Sequence, residues 1–375
     1  MEAPWRLSYS FTSSAPSNTS PMSADMDDAF VQAPEHRPKM PLIQATDVPV
    51  IDISPMLMLP PGNMDALVSE LSVASREWGI FMVVGHGIPE GTVTRALEAG
   101  HAFFALPAEK KAVMRRTEAA PAVGYFDEEH LQNIRDWKEV FDFFPHEPPP
   151  VGEVDDNLVF KNKWPEEDDL PGFRDALEEY ANAMEELAFM LLELIARSLN
   201  LRPDQFHGFF GDQTTIMRIN RYPPCPRPDL ALGNGRHKDS GALTILYQDD
   251  VGGLDIRRRS DGEWLRVKPV HGSFVVNIGD LIQVWTNDKY ESVEHRVSLN
   301  SEKVRFSIPY FLNPSINTII EPLQETVSAE DPPKYNSYSW GEFFSTRRKA
   351  GFKKHVVQIN TETAQFRKQS TDCVE

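Results

Sequence analysis

The chain has 375 residues, 41% of them hydrophobic, enough to fill a sizeable core in one large domain or two modest ones. A formal net charge of −18 creates an average surface field that repels nucleic-acid backbones and anionic lipid headgroups, so neither is an expected partner. Two cysteines, Cys225 and Cys373, are too few for a disulfide framework and too far apart for a C-x-x-C motif, which points to a reducing compartment and a cytoplasmic protein.

Residues 1–24 are rich in Ser, Pro, Ala and Thr, lack the apolar core of a secretory signal, and read as a disordered extension. A plastid transit peptide shares this bias but usually carries more arginine than the single Arg6 found here. Ala29–Pro38 and Met40–Ala45 read as an extended lead-in, and Val48–Ile53 alternates like a short strand. Helical spacing over Asp65–Trp78, an apolar strand-like run at Ile80–Val84, a break at Gly85-His86-Gly87 and a second helix within Pro89–Leu106 follow.

In Phe173–Leu199 the residues Phe173, Leu177, Tyr180, Met184, Leu187, Leu191 and Ile195 recur three to four apart, which predicts a long helix with one buried face. The longest apolar runs, Gly79–Gly85 and Leu187–Leu192, fall well short of the ~20 residues that span a bilayer. Between Thr214 and Asn313 the pattern changes to short segments separated by Pro, Gly, Asn and Asp. These are Thr214–Tyr222, Leu243–Gln248, Gly253–Arg257, Trp264–Val267, Phe274–Ile278, Val293–Leu299 and Phe306–Phe311. Evenly spaced short strands predict a jelly roll or barrel, making this an α+β chain. The last sixty residues return to helix, notably Ser339–Ala350.

His237-Lys238-Asp239 lies just before the segment Leu243–Gln248, and in extended backbone residues two apart face the same way. His295, in the alternating run Val293, His295, Val297, offers a third ligand. Two imidazoles and one carboxylate on one side of a metal leave open positions, the arrangement of non-haem Fe(II) oxygenases. Alone, H-x-D is a weak signal, and a single strand histidine is more often a hydrogen-bonded core residue. Two further pairs raise its weight. Arg305 and Ser307 present a guanidinium and a hydroxyl to one side, and Asn220 and Tyr222 present an amide and a phenol. A dicarboxylic 2-oxo acid that chelates Fe(II) needs a cationic partner for its distal carboxylate, and the planar, always charged fork of arginine suits it. An ordinary Arg–carboxylate pair is the plainer reading of Arg305.

These residues resemble the plant-type soluble 2-oxoglutarate- and Fe(II)-dependent dioxygenases, relatives of flavonol synthases and gibberellin oxidases. The likeness runs through Asn220-Arg221-Tyr222-Pro223-Pro224-Cys225-Pro226, His237-Lys238-Asp239, Leu243-Thr244-Ile245-Leu246, Gly252-Gly253-Leu254 and Arg305-Phe306-Ser307. In the amino-terminal half it takes in Val48-Pro49-Val50-Ile51-Asp52, Trp78-Gly79-Ile80-Phe81, His86-Gly87-Ile88-Pro89 and Asp136-Trp137-Lys138-Glu139. It implies a double-stranded β-helix, a cupin-like jelly roll, wrapped by helices. It also implies Fe(II) on His237, Asp239 and His295. Arg305 and Ser307, assisted by Tyr222, would hold the distal carboxylate of 2-oxoglutarate, with Asn220 near the chelating end. The implied activity is hydroxylation or desaturation of a small organic metabolite with O₂, releasing succinate and CO₂, with ascorbate as reductant and the protein a monomer.

The expected division is a lead-in over 1–45, an amino-terminal dioxygenase region over 46–160, helical support over 161–210, the jelly roll over 211–315 and a carboxy-terminal helical segment over 316–375. By the resemblance His86 is structural and Cys225 a packed small residue. Lys238 and Tyr247 depart from the usual pattern at positions that bear on specificity. Tyr125, Phe126, Phe143, Phe306 and Phe311 are candidate pocket aromatics, although plain core is the commoner fate of strand aromatics. Trp340, Phe343 and Phe344 could form a lid or simply close the barrel. The rivals are a same-fold oxidase that dispenses with 2-oxoglutarate, a non-catalytic cupin-like binding module and a nucleic-acid demethylase. Flavonoids, diterpenoid hormones, auxin-like acids and alkaloids are not distinguished by the sequence.

Overall fold

The short strands Ile43–Ala45 (β1) and Val50–Asp52 (β2) precede the helix Met64–Glu77 (α1), the strand Ile80–Val84 (β3) and the helices Glu90–Ala105 (α2) and Ala108–Val113 (α3). Strands Gly124–Phe126 (β4), His130–Leu131 (β5), Ile134–Arg135 (β6) and Glu139–Phe143 (β7) follow, then the helix Phe173–Ser198 (α4). The β-rich part runs through Ile216–Tyr222 (β8), Leu232–His237 (β9), Leu243–Gln248 (β10), Leu254–Arg257 (β11), Trp264–Val267 (β12) and Phe274–Ile278 (β13). The short helix Asp280–Trp285 (α5), His295–Ser298 (β14) and Arg305–Leu312 (β15) complete it. A two-stranded hairpin of Ile319–Ile320 (β16) and Tyr338–Ser339 (β17) leads into the helix Trp340–Ala350 (α6). This computed structural model describes residues 26–38, 43–58, 64–118, 120–131, 134–149, 160–350 and 362–369; the extension expected over 1–24 and Cys373 lie outside them.

Two sheets form the core. One has the order β1-β12-β11-β14-β9 and the other β2-β3-β13-β10-β15-β8-β7-β4, the non-sequential neighbours expected of a jelly roll. Among the described residues the sheets do not join into a closed barrel.

Strand alternation gives the larger sheet two distinct faces. Its outer face carries Val276, Ile245, Ile308, Tyr310, Ile219 and Phe141, all fully buried against the helices. Helix α4 supplies the opposing surface: Leu177, Tyr180, Met184, Leu187, Leu191 and Ile195 form one stripe with no exposed area. Each such side chain removed from water contributes roughly 2 kcal/mol, which outweighs the modest helix propensity of the sequence. The inner face packs Leu246, Val275 and Met82 against Leu254, Ile256, Leu265 and Val267 of the smaller sheet. Toward the β8 end that apolar packing gives way to polar and charged side chains, and there the site is built.

Several elements differ from the sequence reading. The lead-in is not extended throughout: Asp28–Phe30 and Pro34–His36 are single helical turns, with the Gln32 amide donating to Leu230 O at 2.9 Å. Strand β9 escapes a propensity reading because Gly233, Asn234 and Gly235 disfavour strands locally; pairing with β14 holds it extended. The stretch from 316 is less helical than expected, with loops and the β16–β17 hairpin occupying most of it before α6.

Candidate active site

His237 ends β9 and His295 opens β14, and the two are directly paired across the strands. Asp239 lies just beyond β9, in a loop whose course is set by the amide of Asp280 donating to Asp239 O at 2.8 Å. Each imidazole uses Nδ1 toward a backbone carbonyl, His237 to Gly235 O at 2.8 Å and His295 to Val293 O at 3.2 Å. That pairing favours the tautomer with Nδ1 protonated, leaving each Nε2 lone pair available as an acceptor, that of His237 facing Asn234 Nδ2 at 3.3 Å. Both Nε2 atoms stand 3.6 Å from Asp239 Oδ1, and one ligand atom from each residue falls within 4.8 Å of the others.

Electrostatics suit a cation. Burial, followed by the neighbouring His295, pushes the His237 imidazole below its usual value, so it is neutral near pH 7. Burial alone would raise the Asp239 carboxyl, but the His295 and His237 rings and the Asn277 amide hold it well below the usual carboxylate range. Asn277 Nδ2 donates to Asp239 Oδ2 at 2.9 Å, so the second carboxylate oxygen is fixed while Oδ1 faces the imidazoles.

The anion clamp is built by register. Arg305 pairs with Tyr222 and Ser307 with Asn220 across β15 and β8, while Gln248 on β10 pairs with Ser307 from the other side. All five side chains therefore share the inner face. Arg305 is 2% exposed, with its guanidinium 4.8 Å from the Tyr222 ring centroid. Gly253, at φ +116°, lets the backbone pass against the Arg305 stem; a Cβ there would meet Ser298 O at 2.8 Å. Asn220 Nδ2 donates to Ser307 Oγ at 3.2 Å. Yet Arg305 Nε and Nη2, Asn220 Oδ1, both amide atoms of Gln248 and Asn277 Oδ1 are buried with no hydrogen-bond partner in the protein. Arg305 Nη1 reaches Ser307 Oγ at 3.4 Å, but a buried guanidinium with two unpaired nitrogens is costly, so the orphaned donors Arg305 Nε and Nη2 and Gln248 Nε2, on the adjacent strands β15 and β10, fit a polar anion lying between them. The donor set at His237, Asp239 and His295 likewise fits Fe(II).

Family models match most of the folded chain: the 2OG-Fe(II) oxygenase superfamily over residues 213–314, and the non-haem dioxygenase in morphine synthesis N-terminal model over 48–167. The chain is 35% identical to jasmonate-induced oxygenase 2 of Arabidopsis thaliana over 306 residues, covering 80% of this chain and 78% of that protein.

The chain belongs to the 2OG-Fe(II) oxygenase superfamily.

The oxygenase is also 35% identical to a flavonol synthase/flavanone 3-hydroxylase of Eustoma exaltatum subsp. russellianum, covering 79% of this chain and 85% of that one. In three dimensions it is similar to the crystal structure of JOX2 in complex with 2OG, Fe and JA, with a TM-score of 0.72 and 31% identity over 88% of this chain and 91% of that one. It is an oxidoreductase dependent on Fe(II) and 2-oxoglutarate, and its core is the jelly roll of that superfamily. No helix among the described residues is long and apolar enough to cross a membrane.

The structure brings all seven candidate residues to the inner region and separates the others. His86 is remote: its Nδ1 accepts from the Ile88 amide and its ring packs on Phe274. Cys225 is buried, which raises its thiol pKa. Of the aromatics proposed for the pocket, Tyr125, Phe143 and Phe306 point to the outer face, Phe306 against His101 of α2 and Phe143 against Trp164. Phe126 and Phe311 share the inward parity of their strands. Tyr247 is also on the outer face, so its bulk does not enter the cofactor region. Lys238 is exposed and borders a cavity of about 430 Å³ beside His237, shared with Arg236, Tyr335 and Thr363. Trp340 is buried and donates to Thr214 Oγ1 at 2.8 Å, so the first turn of α6 packs on the end of the core.

Sequence reasoning missed Asn277 and Gln248. Both were detectable as polar residues at inward-alternating positions of otherwise apolar strands.

Proposed function

We propose that His237, Asp239 and His295 hold Fe(II), that Arg305, Ser307 and Tyr222 bind the distal carboxylate of 2-oxoglutarate with Asn220 near its chelating end, and that the oxidised substrate is a small organic metabolite of the plant-hormone or specialised kind. The observation that carries this reading is the presence, in one core, of a close-set His/Asp/His group and a buried arginine two of whose nitrogens lack acceptors. Bound Fe(II) and 2-oxoglutarate supply the activation of O₂, with succinate and CO₂ as co-products.

The chain's own residues position and insulate. The carbonyls of Gly235 and Val293 fix the ring orientation of the two histidines, and Asn277 fixes the carboxylate. Arg305 sets the direction from which the oxo acid enters and neutralises its remote charge in a dry environment. The apolar packing of Leu246 and Val275 excludes water on the side toward β13. A small-molecule substrate is supported by relatives named jasmonate-induced oxygenase and flavonol synthase. The strongly acidic composition argues against nucleic acid, and the reading places the protein in the cytoplasm as a monomer.

The test is a screen of plant flavonoids, diterpenoids, indole acids and alkaloids, scored by substrate-dependent succinate release with Fe(II) and ascorbate present. One succinate per product is expected. Product formed without succinate would reject the assigned role of Arg305 and Ser307.

A further inference from the structure

Buried charge is unevenly matched on the inner face of the larger sheet, away from the metal-binding group. Arg218 precedes Asn220 by two residues on β8 and so faces the same way, about 7 Å along the strand. Opposite it β7 presents Asp142, its register partner, with no exposed area. Three guanidinium groups from three separate segments converge on this one carboxylate: Arg116 Nη1 at 2.8 Å, Arg218 Nε at 2.6 Å and Arg348 Nη2 at 2.8 Å. Glu129 pairs with Arg218 at 2.8 Å and with Lys138 at 2.7 Å, and Asp136 lies 3.0 Å from Lys138.

The cations are Arg116, Arg218, Arg348 and Lys138, and the carboxylates are Asp142, Glu129 and Asp136, so one positive charge is left over. Burial, and then the charge of Arg116, lowers the pKa of Lys163, whose Nζ donates to Arg115 O at 2.7 Å. Burial, and then the charge of Arg348, pulls Arg116 down to about 10, as crowding of like charges should. Arg348 reaches in from α6, where Nη2 also donates to Ala122 O, and its Nε is buried with no acceptor. A surplus cation in a low-dielectric site calls for an anion, and the guanidinium fork matches a carboxylate.

We propose that this cluster receives a carboxylate carried by the substrate, held by Arg348 with Arg218, so that the oxygenase acts on an organic acid. The inference rests on the proposed cofactor site: it places two anion-binding positions on one face, Arg305 for the oxo acid and Arg348 with Arg218 for the substrate, on either side of Asn220. Asp142 and Glu129 hold the arginines in place, and the substrate completes the charge balance.

The test is anaerobic calorimetric titration of the protein carrying Fe(II) and 2-oxoglutarate with matched probes: indole-3-acetic, jasmonic, cinnamic and gibberellic acids, each against its methyl ester. At least one acid is expected to bind ten-fold or more tightly than its ester, with that ratio falling toward one in Arg348→Gln. Equal binding of acids and esters, or binding of none of the acids, overturns the proposal. The ratio in the unaltered protein decides the matter even if the variant fails to fold. The charge-transfer absorption of Fe(II)-bound 2-oxoglutarate, recorded on the same samples, reports separately on the cofactor site. A normal band with no acid preference rejects only the substrate inference, whereas loss of the band rejects the reading beneath it.

Discussion

Asn277 donates its side-chain amide to Asp239 Oδ2 at 2.9 Å, while both histidine Nε2 atoms approach Oδ1 at 3.6 Å. The carboxylate is thus divided between an oxygen that is held and an oxygen that is offered. Without the amide, Asp239 could rotate about its Cβ–Cγ bond and lose that alignment. Asn277→Leu is expected to weaken Fe(II) binding ten- to a hundred-fold, measured by anaerobic metal titration. Unchanged affinity would show that the hydrogen bond orients nothing.

Removing the carboxylate itself is a stronger change. Asp239→Ala is expected to abolish turnover and leave the fold intact, because the side chain sits in a loop at the site and contributes little apolar packing. Near-normal succinate release from a folded Asp239→Ala protein would reject Asp239 as a ligand.

Arg305 is buried beneath the Tyr222 ring with two nitrogens lacking acceptors. Losing a buried charge partner typically costs 2–5 kcal/mol. Arg305→Leu is therefore expected to raise the 2-oxoglutarate Kd about a hundred-fold or more. Arg305→Lys keeps the charge but not the fork, and should fall between. Titration with 2-oxoglutarate by calorimetry measures both; a Lys variant that matches the original would remove the case for bidentate recognition.

Asp142 anchors three arginines, and Arg218 followed by Arg348 outweighs burial to hold its carboxyl well below the usual range. A depressed folded-state pKa means that the folded protein resists protonation. Its contribution is therefore complete above the unfolded value near 3.9 and is lost as pH falls below that toward the folded value. Asp142→Asn is expected to cost about 3–5 kcal/mol at pH 7, with the gap to the original protein narrowing below about pH 4. Urea unfolding at pH 7 and pH 3 compares them, and a gap that widens in acid contradicts this account.

The α4 stripe and most strands of the jelly roll were legible in the sequence, because periods of 3.6 and 2 are local properties that Leu187 and Leu191, or Arg305 and Ser307, carry within a few residues. The same periodicity exposed each i, i+2 pair of the site. It could not say which face of the sheet is the inner one. Tyr125, Phe143 and Phe306 alternate as well as Phe126 and Phe311 do, but they pack outward, on Phe103, Trp164 and His101.

By itself the sequence determined the fold class, the chemistry and the seven candidate residues, since these depend on residue type and short-range spacing. Tertiary structure alone decided what cross-strand register controls. It set Asn277 on Asp239, placed Gln248 beside Ser307, and gathered Arg116, Asp142, Arg218 and Arg348 from four distant segments into one buried cluster. Coulomb interactions act through space and not along the chain, so the balance of buried charge exists only once those segments have met.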